Sequence, residues 1–334
     1  MNKSSQLLHT SSSANPSGDP AQPQPADTDY ARRFGGIARL YGAAALERFS
    51  RAHVCVIGVG GVGSWAVEAL ARSAIGHMTL IDLDNLAESN VNRQIHALSA
   101  TLGQAKVTAL HERILQINPF CRVTEIEDFI TADNLEAMIG LGNFDYIIDA
   151  IDDVRAKVAL IAYCRRHGIR LVTLGSAGGQ IDPTKIEIRD LCRTEQEPLL
   201  AKVRKRLRSE HGFPRGTKNK FHIDAVFSTE ALRLPDVEAD VEADVEADEG
   251  AADRRAGNAI DYKDNAANAA NDAPSCAVNV QARSAAGVSG LNCAGYGSAV
   301  VVTASFGLVA AAHVLRQIAQ PPQTAMDGSA DALL

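Results

Sequence analysis

Val54-Cys55-Val56-Ile57-Gly58-Val59-Gly60-Gly61-Val62-Gly63 (VCVIGVGGVG, residues 54–63) is an apolar run that breaks into glycine. The apolar half has the length and β-branched character of a buried strand. Gly58, Gly60 and Gly63 fit GxGxxG, with Gly61 as an added glycine, and a helical pattern follows over 62–73. A strand, a glycine turn and a helix in that order let backbone amides approach a phosphate where the helix end favours negative charge. The turn predicts nucleotide binding but does not choose between NAD, FAD and ATP.

Outward from this loop the chain alternates. Strands are expected at 53–57, 78–82, 121–126, 144–149 and 170–174, and helices at 62–73, 104–117, 131–139 and 154–166. Short apolar strands alternating with helices predict an α/β, Rossmann-like, doubly wound and mostly parallel sheet. Two later strands, near 184–190 and 221–227, read as an antiparallel addition. Upstream, residues 30–50 read as an amphipathic arm ending in a helix.

Asp82 closes the second strand, where a carboxylate can bind ribose hydroxyls. The polar loop after it carries Asp84, Asn90, Asn92, Arg93 and Gln94, and Lys106 opens the next helix. A dehydrogenase has little use for an arginine there, except against a 2′-phosphate. Arginine and lysine converging on one nucleotide suit a triphosphate. Alone, Lys106 can equally be a solvated helix charge and Arg93 a surface residue. A third element, Asp149-Ala150-Ile151-Asp152-Asp153, ends a buried strand at the edge where open α/β sheets bind ligands. Asp152 is the candidate magnesium ligand. Asp153 can instead cap the following helix, and Asp149 can be structural.

These elements resemble the ThiF/MoeB/HesA family of ubiquitin-activating-enzyme-like adenylyltransferases, over roughly 30–230 and 290–316. The words RFGGIARLYG (33–42), GVGGVGSWAVEALAR (58–72), NRQIHAL (92–98), INPFCRV (117–123), YCRRHGI (163–169) and AGGQIDPTKI (177–186) are similar to the branch that dehydrates threonylcarbamoyladenosine in tRNA. The resemblance implies ATP and Mg2+ as cofactors. It implies adenylation of the threonine carboxylate beside the anticodon, then ring closure that expels AMP. The alternative within the family is adenylation of the C-terminus of a ubiquitin-like sulfur carrier, against which the absence of zinc-binding CxxC pairs weighs.

Carried over by resemblance, Gly58, Gly60, Gly61, Gly63, Asp82, Asp84, Asn90, Arg93, Gln94, Lys106 and Asp152 bind ATP, and Arg93, Lys106 and Asp152 act in catalysis. Cys293 corresponds to a crossover cysteine that forms a thioester in some relatives; cyclisation does not require one, and an inert thiol is the other reading. The family further implies a homodimer, with a partner subunit's arginine at the ATP site. Gly36 stands near that position here, and Arg33 or Arg39 can substitute. A cysteine desulfurase and its sulfur acceptor are implied as partners.

Composition sets the frame. Of the 334 residues 46% are hydrophobic, enough for a substantial core. The net charge of -7 misleads, because residues 236–249 alone hold eight acids and no base. The remainder is near neutral, so an RNA partner is not excluded. Residues 202–220 carry Lys202, Arg204, Lys205, Arg206, Arg208, Lys218 and Lys220 as candidate tRNA contacts, with Phe213 or Phe221 as a stacking platform; a solvated helix face is the bland reading.

The expected organisation is a disordered tail (1–29), an ATP-binding domain (30–234), a low-complexity acidic insertion with its crossover (235–286), the C-terminal part of the same domain (287–319) and a tail (320–334). Residues 298–315 lack Asp, Glu, Lys and Arg and approach membrane-span length, but their alanine, serine and glycine favour a buried helix. No secretory core is evident near the N-terminus, and cysteines scattered at 55, 121, 164, 192, 276 and 293 fit the reducing cytoplasm.

Overall fold

A computed structural model describes residues 29–234 and 296–321. The expected disordered tails and acidic insertion therefore lie outside the described residues, as does Cys293.

Seven strands form one sheet: β1 (His53–Ile57), β2 (His77–Ile81), β3 (Arg122–Ile126), β4 (Tyr146–Asp149), β5 (Leu171–Leu174), β6 (Ile186–Asp190) and β7 (Asp224–Ser228). Their order is β3-β2-β1-β4-β5-β7-β6. All neighbours are parallel except β6 and β7, which pair antiparallel as the sequence predicted. The strand order reverses between β1 and β4, which creates a crevice at their carboxyl ends.

Alternation along β1 divides the core. Val54 and Val56 join the cluster formed with α2 (Ala43–Arg51), α3 (Gly63–Arg72), α4 (Lys106–Ile117) and α7 (Val300–Ala319). Cys55 and Ile57 face the opposite cluster with α5 (Val154–His167) and α6 (Pro198–Glu210). Both faces are thus covered, as a parallel sheet requires. Cys55 is a fully buried core residue whose thiol burial pushes well up.

The N-terminal arm is two helices, α1 (Tyr30–Tyr41) and α2, broken at Gly42 with φ 91°. The helix expected over 131–139 is only a wide turn at Glu136–Gly140. Asn134 explains the difference: its side chain accepts from Thr131 N and donates to Phe129 O. It thereby stabilises a local turn that competes with a helix start.

The apolar segment 298–315 belongs to α7, which passes by length and composition as a membrane span yet is more than half buried. It packs on α3 so closely that a Cβ at Gly307 would stand 2.8 Å from Ala66 N. Arg48 of α2 donates to Ile318 O at 3.1 Å, satisfying a carbonyl at the α7 terminus. The core-helix reading of this segment therefore holds.

Candidate nucleotide site at the sheet crevice

Gly58 turns the chain out of β1 with φ 79°, a conformation glycine adopts without strain. A Cβ there would meet Ala150 O at 2.8 Å, so the loops after β1 and β4 are pressed together. At Gly63 a Cβ would collide with the Gly58 carbonyl, which holds the turn tight against the start of α3. The glycine spacing thus builds a backbone surface at a helix N-terminus and brings the 149–153 loop beside it.

The next strand supplies the acid. Asp82 accepts from Val59 N at 2.8 Å and from Asp84 N at 3.0 Å, which ties the glycine loop to the end of β2. Burial pushes its carboxyl above the usual carboxylate range, against the Lys106 charge and the two amides that favour its ionised form. Lys106, 6% exposed, sits at the first turn of α4 and reaches Asp84 at 2.7 Å and Asp82 at 3.9 Å. The solvated-charge reading of Lys106 fails on that burial.

Arg93 and Gln94 fold over the loop. The Arg93 Cδ is 3.3 Å from the place of a Cβ on Gly61, and Gln94 Nε2 is 3.7 Å from that on Gly60. Trp65 fixes this segment by donating Nε1 to Arg93 O at 3.0 Å. The Arg93 guanidinium donates to Ser89 O and to Asn92 Oδ1. Asn90 is buried and accepts from Ala87 N, so its oxygen orders the loop. Asn92 donates to Ser298 O, linking the loop to the approach to α7.

Asp149, Asp152 and Asp153 have three different environments. Asp149 is fully buried against Lys157 Nζ at 2.9 Å and accepts from Thr173 Oγ1 at 2.7 Å, a closed internal cluster. Asp153 caps α5 by accepting from Ala156 N at 2.7 Å. Asp152 is half-buried at the rim of a cleft of about 570 Å³. Among the described residues no three His, Cys, Asp or Glu side chains gather into a metal-binding group. Asp152 is the carboxylate that could hold a magnesium ion there, where it would help to neutralise phosphate charge.

Several polar atoms at this edge are buried without a partner among the described residues: Ser64 Oγ in the first turn of α3, Gln94 Oε1, and both ring nitrogens of His96. Burial, followed by the charges of Lys106 and Arg113, lowers the His96 pKa to about 3, so its ring is neutral. Orphaned buried polar groups are costly. Ser64 stands in the first turn of α3 and Gln94 against Gly60, both beside the glycine loop. Ser64 escaped the sequence reading although it directly follows the last glycine. Gln180, buried with its whole amide unpartnered in the loop after β5, lies within the AGGQIDPTKI word, where the sequence assigns it no role.

The basic run divides. Arg204 donates to Thr194 Oγ1, Arg206 pairs with Glu210, and Arg208 lies over the Phe221 ring. Lys202, Lys205, Lys218 and Lys220 are exposed. Phe221 is 1% exposed and packs edge-on against half-buried Phe213, so the expected stacking platform is a core contact. In the arm, Arg33 donates to Ile117 O at 2.8 Å and Gln116 O at 3.2 Å, at the far end of α4 from Lys106. Arg33 is therefore engaged away from its own site, while Arg39 is exposed and forms no ion pair among the described residues.

Comparison with known proteins agrees with this geometry. The profile of the ThiF family matches residues 30–330. The tRNA threonylcarbamoyladenosine dehydratase of Escherichia coli is 48% identical over 288 residues, covering 86% of this chain and 93% of that protein. The Haemophilus influenzae protein of the same name is 54% identical over 209 residues, 63% of this chain and 80% of its own. The crystal structure of the E. coli enzyme in complex with ATP matches with a TM-score of 0.67 at 45% identity, over 86% of this chain and 94% of that one.

Proposed function

The chain belongs to the ThiF family, and from that premise we propose that it is an ATP-dependent tRNA threonylcarbamoyladenosine dehydratase. The observation that carries the reading is the crevice in which Arg93 and Gln94 cover the glycine loop while buried Lys106 and Asp82 close its side. The E. coli relative, matched over nearly its whole length, is solved with ATP.

The chemistry follows from the carboxylate's poor electrophilicity. A threonine carboxylate oxygen attacks the α-phosphate of ATP, and pyrophosphate leaves. The carbamoyl group of the same nucleoside then closes on the acyl carbon and expels AMP. The net change is loss of one water from the nucleoside. Ring closure is intramolecular, so proximity removes much of its barrier. The loop amides and α3 N-terminus hold the nucleotide. Asp82 orients the ribose, and Lys106 and Arg93 offset charge on the pyrophosphate. Asp152 would hold Mg2+, which when bound neutralises phosphate charge.

Homodimerisation, action in the cytoplasm and a cysteine-desulfurase partner belong to the same reading and rest on the family. On that reading exposed Arg39 is the arm residue that would serve a second subunit, since Arg33 is engaged at the end of α4. Cys293 is not needed for either chemical step.

Incubating the protein with ATP, Mg2+ and tRNA carrying the linear modification, then weighing the digested nucleosides, tests this. The expected result is loss of one water mass with release of AMP. Asp152→Asn should abolish turnover while tRNA binding survives. Normal turnover in that variant would remove Asp152 from the site.

A further inference from the structure

The α5–α6 cleft at the rim of the crevice shares Asp152 with the proposed nucleotide site and extends beyond it along α6. Asp152, Asp153 and Arg155 line one wall, and Lys202, Lys205, Arg206 and Glu210 line the other. The charges there are not equivalent. Asp153 is spent on the α5 cap, and Arg206 is paired with Glu210 through two contacts of 2.6 and 2.9 Å. Lys202 and Lys205 are exposed and form no ion pair among the described residues. They are three residues apart on α6, so their side chains emerge about 5–6 Å from each other on one helix face. Arg204 and Arg208, between and beyond them, are turned to Thr194 and Phe221. One face of the helix is therefore a structural strap, and the other carries two ammonium groups without a direct ion pair among the described residues, across the cleft from Asp152 and Asp153.

We infer that this cleft is the RNA subsite: Lys202 and Lys205 hold backbone phosphates flanking the modified nucleoside, so the substrate's carboxylate arrives over α6 at Asp152. The inference rests on the proposed function and assigns the direction from which its substrate enters. The position supports it. Gly58 is pressed against Ala150, two residues before Asp152, so one wall of the cleft is continuous with the nucleotide loop. Ammonium pairs of this kind recognise phosphate without reading sequence. Exposed Lys218 and Lys220 lie in the loop after α6, outside the cleft lining, and contribute less.

The test compares Lys202→Ala/Lys205→Ala with Lys218→Ala/Lys220→Ala in the full chain. Both pairs are exposed, so folding is preserved, checked by thermal melting. Binding to threonylcarbamoyladenosine-bearing tRNA is measured at several salt concentrations, and ATP binding by calorimetry. The first variant should lose at least about tenfold in tRNA affinity, and its salt dependence should flatten by about one unit of slope per lysine removed. Its ATP affinity should be unchanged, and the second variant should lose less. Wild-type tRNA affinity in the first variant, or a larger loss in the second, would overturn the assignment. A loss of ATP affinity would hand the lysines to the nucleotide's triphosphate instead. If the wild-type protein binds this tRNA through the two lysines but never cyclises it, the proposed reaction fails and the subsite stands.

Discussion

Two lysine–aspartate clusters occupy the carboxyl ends of the strands that flank β1, and they differ in completeness. At β4, Lys157 meets Asp149 and donates to Thr173 Oγ1 at 3.0 Å and to Asp149 O at 3.2 Å; every member is at 0% exposure. At β2, Lys106 bridges half-buried Asp82 to exposed Asp84, and Ser64, Gln94 and His96 nearby keep unpaired polar atoms. The same residue types are closed in one place and open in the other. A buried charge set whose hydrogen bonds are complete is architecture. The one with bonds left over is where the proposed ATP site lies.

The comparison breaks most easily at the closed cluster. Lys157→Ala strands the Asp149 carboxylate in the core, so stability should fall by about 3–5 kcal/mol, measured by denaturant unfolding. An effect below about 1 kcal/mol would mean that the β4 set is not closed. At the open cluster the loss should fall on ligand rather than fold. Lys106→Ala should weaken ATP binding by about 1.5–3 kcal/mol, read by calorimetry. Because Lys106 holds the Asp82 pKa down against burial, its removal raises that pKa. The acid side of the ATP-binding profile should then move to higher pH; a shift to lower pH would contradict the arrangement. The smallest effect is expected from Ser64→Ala. Removing an orphaned buried hydroxyl should leave the unliganded protein as stable as before or slightly more so, and cost about 0.5–1.5 kcal/mol in ATP binding. Destabilisation without an affinity change would sharpen the comparison the other way, making Ser64 architectural.

The sheet was legible because its signals are local. Apolar runs, the 58–63 glycines and the Asp153 cap each encode their own geometry. The same holds for Arg93 and Lys106, whose charges stood out against a polar loop and a helix start. What escaped reading depends on long-range burial. The sequence favours Asp152 over Asp149 as the metal ligand, but the reason that Asp149 is structural appears only when Lys157 and Thr173 fold against it. Phe221 looked like a stacking surface because sequence does not reveal that Phe213 and Arg208 enclose it. The 131–139 pattern has apolar spacing for a helix, yet the Asn134 side chain outweighs it, accepting from Thr131 N and donating to Phe129 O.

The close packing of α7 on α3 has a consequence for how this protein is made. The helix that opens at the nucleotide loop emerges from the ribosome more than two hundred residues before the segment that shields its outer flank. At about 5–20 residues per second, that flank waits on the order of ten seconds or more, with Ala66 and Leu70 uncovered. The glycine loop can therefore form early, but it acquires a rigid backing only when Gly307 seats against Ala66, late in translation.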